Sequence, residues 1–532
     1  MALGPSAHVD TFTRDHLPPA DQWPPLLFDL PELVYPQMLN CGVELLDATI
    51  AAHGGDRRCL MDADGAVWTY EDLRRRADAV AAYLTGRGLV PGNRVLLRAP
   101  NNPWLVACWF GVLRMGGVVV TTMPLLRTTE LQTIHEIARI DHSLVDSRFV
   151  DDLAAAAIGD FTVVDELAGR PDTTFTPVDT SNDDVALLAF TSGTTGRPKA
   201  TMHFHRDVLA NADTFSRHVL KPTAHELFTG SPPLGFTFGL GGLVVFPLRI
   251  GAASLLLEKG TPDVLGAAIT AHRPTILFTA PTAYRALLGT GADFGSLRRC
   301  VSAGEPLPRG TFDAWEAATG LKIIDGIGAT ELLHIFISAA DGDIRPGATG
   351  RPVPGYEAAV LSDAGEPVPD GEIGRLAVRG PTGCRYLADE RQKQYVQHGW
   401  NLTGDTYVRD ADGYYWYQAR NDDMIISAGF NIAGPEVEMA LLRHPDVVEC
   451  CVVGAPDPER TMLVHAYVVL RPGVDGTPEK VEELRAHVRS VIAPYKAPRV
   501  VEFVDALPRT STGKVQRFVL RDRAASEPPP GR

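Results

Sequence analysis

The sequence predicts an α/β protein: a larger part built on mostly parallel sheet, a small antiparallel barrel-like region, and a separate, smaller α+β domain at its C-terminal end. Three observations predict it. Strand and helix patterns alternate from residue 69 to 124 and again from 185 to 280, and that alternation builds parallel sheets through crossover helices. From about residue 350 the texture changes to short strands among dense Gly and Pro. From 422 onward two strands and an amphipathic helix form a pattern of their own.

Each element follows from its residues. Residues 69–88 place Leu73, Ala77, Val80, Ala81 and Leu84 on one helical face, with Thr69 as N-cap. A strand follows at 94–100, a helix from Pro103 to Met115, and a strand at 118–124. The apolar run 185–190 is a buried strand, and 206–220 is a helix with Val208, Leu209, Ala212, Phe215 and Val219 on one side. Helix 263–273 and strand 275–280 repeat the pattern; GRLAVRG at 374–380 belongs to the barrel-like region. In the last domain 447–455 and 463–471 are strands and 479–492 a helix, while the nine final residues are expected to be unstructured.

Composition bounds the chemistry. A chain of 532 residues exceeds what one core supports, about 250–300 residues, so two or more domains are expected. Hydrophobic residues make up 45% and charged ones 22%, an ordinary globular balance. The net charge of −15 disfavours nucleic acid and anionic membrane. Seven scattered cysteines without C-x-x-C spacing exclude a disulfide framework or zinc site. The first residues lack a signal peptide's basic and apolar regions, and the apolar stretches 104–120 and 234–257 are cut by Arg114 and Arg249. A cytoplasmic location is the expectation. Only eight of the 50 basic residues are lysine; a lysine that persists against such a bias marks a place where a compact ammonium is needed.

The sharpest local signal is TSGTTGRPK at 191–199, directly after a buried strand. Gly193 and Gly196 let successive N–H groups turn inward; Ser192, Thr194 and Thr195 add hydroxyls, and Lys199 a point charge. That combination suits a triphosphate. The spacing is not that of G-x-x-x-x-G-K-[ST], which excludes an ordinary P-loop NTPase. A solvated Ser/Thr/Gly loop is the competing reading of the composition alone.

This string resembles the phosphate loop of the adenylate-forming superfamily of acyl-CoA synthetases, peptide-synthetase adenylation domains and luciferases. Four further strings resemble that family's motifs in order: GIGATE at 326–331, TGD at 403–405, ARNDDMIISAGFNI at 419–432 and PRTSTGKVQR at 508–517. The resemblance implies two α/β subdomains and a small barrel in an N-terminal domain, 1–421, with a mobile C-terminal domain, 422–532. It implies ATP, Mg²⁺ and coenzyme A as co-substrates and cofactor. Lys514, Glu331 and Lys199 are the implied catalytic residues, with Glu331 also holding Mg²⁺. ATP and AMP would meet Thr191, Ser192, Gly193, Thr194, Thr195 and Gly196, then Ala303, Gly304, Glu305, Asp325, Gly326, Ile327, Gly328, Ala329 and Thr330. Asp405, Tyr417 and Arg420 would complete that site at the ribose. Ile327 departs from the aromatic that many members stack on adenine, leaving an aliphatic contact.

DGIGATELLHIF at 325–336 resembles the benzoate-type CoA ligases, and the opening SAHVDTFTRDHLPP, with RVLLRAPNNPWLVACWFGVLRMGG at 94–117, resembles most the 2-aminobenzoate (anthranilate)–CoA ligase branch. By that resemblance Gly235, Phe236, Ala303, Gly328, His334, Ile335 and Lys514 line an aryl-acid pocket. If Glu331 opens a helix, His334 lies three residues on and on the same side. Phe236, Asp422 and Gly429 would serve the CoA channel and the hinge. The implied activity is aryl–CoA ligation through an acyl-adenylate. A separate acyl carrier protein as acceptor, a luciferase-like oxidase and a non-enzymatic nucleotide-binding regulator are the alternatives; the oligomeric state stays open.

Overall fold

A computed structural model of the chain describes residues 3–171, 173–191, 198–420, 423–427, 430–457, 460–509 and 515–526. By packing, the chain divides into two compact units, Met1–Ala359 with Ala377–Leu402 and Val360–Leu376 with Thr403–Arg532.

The first unit holds two sheets. In one, α1 (Tyr70–Gly86) precedes β1 (Arg94–Arg98), α2 (Pro103–Arg114), β2 (Val118–Thr122), β3 (His142–Val145), β4 (Phe161–Val163), β5 (Val185–Thr191) and β6 (Lys199–Phe204). Helix α1 begins where expected because Thr69 and Asp72 form a reciprocal capping box. Gly111 of α2 lets that helix lie against α1: a Cβ there would stand 2.5 Å from Val80 Cβ. The sheet order is β4–β3–β1–β2–β5–β6, parallel except for the final β5–β6 pair. Its strands bury Leu96, Val118, Val120, Val185, Leu188 and Met202 in one core. After β6, the expected helix 206–220 is α3 (His205–Asn211) continued by a π-helical stretch, Ala212–Leu220.

The second sheet carries β7 (Leu227–Gly230), β8 (Ala253–Leu255), α4 (Pro262–His272), β9 (Ile276–Thr279), β10 (Arg299–Ser302), α5 (Arg309–Thr319), β11 (Ile323–Gly328), β12 (Ile335–Ser338) and β13 (Arg351–Pro352). Its order is β13–β12–β11–β10–β9–β7–β8, followed by Arg58–Met61 and Val67–Thr69. The middle is parallel and both margins are antiparallel. A parallel interior buried on both faces explains the near-continuous apolar runs that announced these strands.

The barrel-like region expected from residue 350 holds a five-stranded sheet, which includes β14 (Trp400–Arg409) and β15 (Tyr415–Arg420). The pairings of β14 with Val396–Gln397 and with β15 are antiparallel. In the second unit β16 (Met424–Ser427), β17 (Phe430–Ala433), α6 (Gly434–Leu441), β18 (Val447–Asp457), β19 (Thr461–Leu470), α7 (Pro478–Val491), β20 (Val500–Phe503) and α8 (Arg517–Ser526) form an α+β arrangement. The sheet order is β17–β16–β19–β18, with β20 parallel beside β19. Helix α8 takes in Ala524, Ala525 and Ser526, three of the nine residues expected to be unstructured, because Leu520 and Ala524 are buried in a small core with Cys451, Val453 and Tyr467.

The expected domain boundary at 421/422 falls just after β15. Asp422 lies outside the described residues. Among the described residues no helix is long and apolar enough to cross a membrane.

Candidate functional site

The described residues among those singled out in the sequence fall in both units. In the first unit the set begins at the antiparallel pair β5–β6, where Thr191 and Lys199 face each other across the ladder. The chain segment at 385–387 adds itself to β6. Met202 N–H donates to Arg385 O at 2.8 Å and Leu387 N–H to Ala200 O at 2.9 Å. The segment is anchored further by a fully buried ion pair between Arg385 and Asp207 of α3. Tyr386 is thereby held beside Lys199, whose ammonium donates to the Tyr386 hydroxyl at 2.7 Å and lies 4.5 Å from its ring centre.

The same hydroxyl donates to Glu331 Oε1 at 2.5 Å. Glu331 is buried on the turn Thr330–Leu332 that leaves β11. Lys199 and Glu331 themselves stand 3.7 Å apart. Burial, reinforced by the Glu331 charge, pushes the Tyr386 phenol far above the usual tyrosine range, so it acts as a neutral bridge. The turn is fixed from behind, where Thr382 Oγ1 donates to Leu332 O at 2.9 Å.

The residues after Glu331 correct one expectation. They do not open a helix: a single 3₁₀ turn ends at Leu333, whose φ is +72°, and the chain enters β12. His334 is therefore placed by a β11–β12 hairpin rather than by helical spacing. A left-handed leucine breaks the helical run that the Glu331–His334 spacing assumed. His334 is 3% exposed and sits among Phe215, Phe238, Phe246 and Phe278, with ring centres 5.6, 5.6, 4.6 and 6.4 Å away. Neither ring nitrogen makes a hydrogen bond of normal geometry among the described residues. Burial lowers its pKa to about 3, with the Phe238 backbone pulling weakly the other way. The imidazole is thus neutral at physiological pH, one donor and one acceptor in an apolar box.

Two glycines make this fit. A Cβ on Gly241 would lie 2.4 Å from His334 Cδ2, and one on Gly328 would lie 2.7 Å from the His334 carbonyl oxygen. Ile335 is buried and packs over Gly326. Gly235 approaches the Thr122 carbonyl so closely that a Cβ would stand 2.9 Å from it, and it borders a small apolar cavity lined by Trp109, Thr121, Leu234 and Leu240. Half-buried Phe236 opens the short helix Thr237–Leu240.

Asp325 on β11 lies opposite Ser302 of β10. Its residue surface is partly open, yet its Oδ1 is enclosed, and burial raises its pKa to about 8. It borders a second small cavity with Leu307, Phe312, Arg345 and Thr349. Ala303 is buried directly after β10, and Gly304, at φ +90°, turns the chain out to the exposed edge where Glu305 follows. Ile327, Ala329 and Thr330 are half-buried and Gly328 exposed.

In the second unit Asp405 and Arg420 are cross-strand partners on β14 and β15, with a 3.4 Å contact between charged groups. Tyr417 stands opposite Tyr407 on the same pair of strands, its phenol pushed up by burial. Ser192, Gly193, Thr194, Thr195, Gly196, Asp422, Gly429 and Lys514 lie outside the described residues.

Sequence reasoning missed Tyr386 and the phenylalanines around His334. Tyr386 carries no local signal, since its place is set by pairing with a strand 187 residues earlier. Phe238, two residues beyond Phe236, lies within the apolar stretch 234–257.

The chain matches the family model of the AMP-binding enzymes over residues 46–386 and that of the AMP-binding enzyme C-terminal domain over 436–514. It is 32% identical to the benzoate–CoA ligase of Thauera aromatica over 92% of this chain and 97% of that protein. It is also 32% identical to the 4-hydroxybenzoate–CoA/benzoate–CoA ligase of Rhodopseudomonas palustris, over 91% and 94%. Among solved structures it resembles the anthranilate CoA ligase AuaEII in complex with anthranoyl-AMP, with TM-score 0.87 and 34% identity over 93% of this chain and 99% of that one. A benzoate CoA ligase from Burkholderia xenovorans LB400 superposes with TM-score 0.82 at 32% identity, over 91% of this chain and 100% of that one. The chain belongs to the AMP-binding enzyme family.

Proposed function

We propose that this AMP-binding enzyme is an aryl–CoA ligase: it activates a small aromatic carboxylic acid with ATP and passes the acyl group to coenzyme A, and its acid is 2-aminobenzoate. The similarity to benzoate–CoA ligases and to an anthranilate CoA ligase supports the class. The observation that carries the substrate is His334, a neutral imidazole whose nitrogens make no hydrogen bond of normal geometry among the described residues and which is enclosed by four phenyl rings. A flat acid with one small polar substituent would offer that imidazole a partner, and a long aliphatic chain would not.

A free carboxylate is a poor electrophile. Its oxygen attacks the α-phosphorus of ATP, the bond to the bridging oxygen breaks, and pyrophosphate leaves. The CoA thiolate then attacks the acyl carbon, and AMP leaves with the electron pair of the broken C–O bond. Lys199 brings positive charge to the triphosphate, together with the loop from Ser192 to Gly196. Asp405, paired with Arg420, accepts from the ribose hydroxyls. Asp325 faces the adenine amino group. Phe236 and Gly235 wall the acid, and His334 accepts from its ortho-amino group. Lys514 meets the carboxylate during adenylation only; rotation about Asp422 then withdraws it and brings Gly429 to the pantetheine path. The donor chemistry at Glu331 fits Mg²⁺, a hard cation that takes one or two carboxylates and fills its other positions with water and phosphate oxygens. Bound there, Mg²⁺ would neutralise charge on the triphosphate.

The test is AMP formation with 2-aminobenzoate, benzoate, 4-hydroxybenzoate and decanoate, each with and without CoA. The highest kcat/KM is expected for 2-aminobenzoate and a negligible one for decanoate. A preference for decanoate overturns the aryl reading; a preference for benzoate keeps the class and removes the substrate. CoA-independent AMP release, with acyl transfer only to a carrier protein, removes CoA as acceptor.

A further inference from the structure

We propose that Tyr386 is a positioning residue for the triphosphate end of the site: its hydroxyl holds Lys199 and Glu331 apart, so that each ion stays available to its own partner. The proposal rests on the reading above that Lys199 meets phosphate and Glu331 the cation.

Three distances carry it. The hydroxyl lies 2.7 Å from Lys199 Nζ and 2.5 Å from Glu331 Oε1, while the two ions are 3.7 Å from each other. A phenol has one hydrogen to give and lone pairs to accept with. An ammonium can only donate and a carboxylate only accept, so the direction of both bonds is settled: Lys199 donates to the phenol, and the phenol donates to Glu331. The ring reinforces this, since the ammonium also lies 4.5 Å from its centre.

Without the oxygen, nothing stands between the half-buried Lys199 and the buried Glu331 carboxylate, already within ion-pair distance. They would close into a directly hydrogen-bonded ion pair. In a low-dielectric setting such a pair is hard to open, yet the triphosphate and its cation need the ammonium and the carboxylate separately. Tyr386 is also well fixed for the task. Its backbone N–H donates to Gln392 Oε1 at 2.9 Å, and its neighbours Arg385 and Leu387 are hydrogen-bonded to β6.

The experiment is calorimetric binding of the magnesium complex of α,β-methylene-ATP, a readout independent of turnover, to wild type, Tyr386→Phe, Glu331→Gln and the double variant. Tyr386→Phe is expected to weaken binding roughly tenfold, the scale of one hydrogen bond to a charged group. In the Glu331→Gln background, where no ion pair can close, the same change should cost less than about twofold. Equal losses in both backgrounds overturn the proposal, because the tyrosine would then act through packing alone. Wild-type affinity in Tyr386→Phe overturns it as well. If Glu331→Gln alone binds like wild type, the reading of Glu331 as the cation's carboxylate fails first and takes the proposal with it.

Discussion

His334 follows Glu331 by three positions, and the two side chains meet opposite surroundings. Glu331 accepts from a phenol that is itself held by a lysine. His334 lies among four phenylalanines, with no hydrogen bond of normal geometry at either nitrogen among the described residues. In the proposed function the same hairpin start serves two kinds of recognition. Ions that must meet a polyanion are best organised in advance, because reorganising charges in a buried site is costly. A group that selects a substituent works in the other way: left unpartnered in an apolar wall, it penalises any acid that does not satisfy it.

The sharpest way to break this contrast is to remove charge at the polar end. Glu331→Gln is expected to lower pyrophosphate exchange on the order of 10²–10³, while thioester formation from supplied acyl-adenylate stays within about threefold. Equal loss in both half-reactions would mean that Glu331 supports the fold and not the triphosphate. Lys514→Ala should show the same asymmetry, for a lysine used in one step only.

At the apolar end, His334→Phe should lower kcat/KM for 2-aminobenzoate by about 10–100-fold and leave benzoate nearly unchanged, since only the substituted acid uses the imidazole. Parallel losses for both acids would make His334 a packing residue. A smaller effect is expected from Gly241→Ala, whose new Cβ would press on the imidazole at 2.4 Å. Overpacking of this kind costs about 1–3 kcal/mol, read as a lower denaturation midpoint with a weakened response to the aryl acid.

The smallest effect is a slope. His334 titrates at about 3 in the folded protein, against 6.5 when free. Between those values the unfolded chain binds one proton more, so the stabilisation is complete above about pH 6.5 and falls as pH falls. His334→Gln should remove a slope of about 1.4 kcal/mol per pH unit in that window, measured as the pH dependence of unfolding free energy. His203 and His205, also lowered to about 3 by burial, keep theirs. An unchanged slope would show that the imidazole is protonated in the folded state.

Much of this was legible in the linear chain. Helix α1 was visible because its apolar spacing, its Thr69 cap and its neighbours agree, and the parallel strands were visible because burial on both faces makes them uniformly apolar. The motif strings brought Lys199, Glu331, Asp325, Asp405 and Arg420 into view in sequence order. The tail was less legible: Leu520 and Ala524 are too sparse a stripe to announce α8, which is stabilised by burial against Cys451, Val453 and Tyr467.

By itself the sequence determined the α/β class, the run of buried strands, the glycine- and hydroxyl-rich loop before Lys199 and the family of motifs, since each depends on spacing within a few residues. Only the tertiary structure decided that His334 leaves a left-handed turn into a strand, that four phenylalanines from distant elements enclose it, and that Tyr386 stands between Lys199 and Glu331. The reason is physical. Helical and strand periods are written locally, whereas a hydroxyl between two ions depends on β6, the β11–β12 turn and a buried Arg385–Asp207 pair closing on one another across nearly two hundred residues of chain.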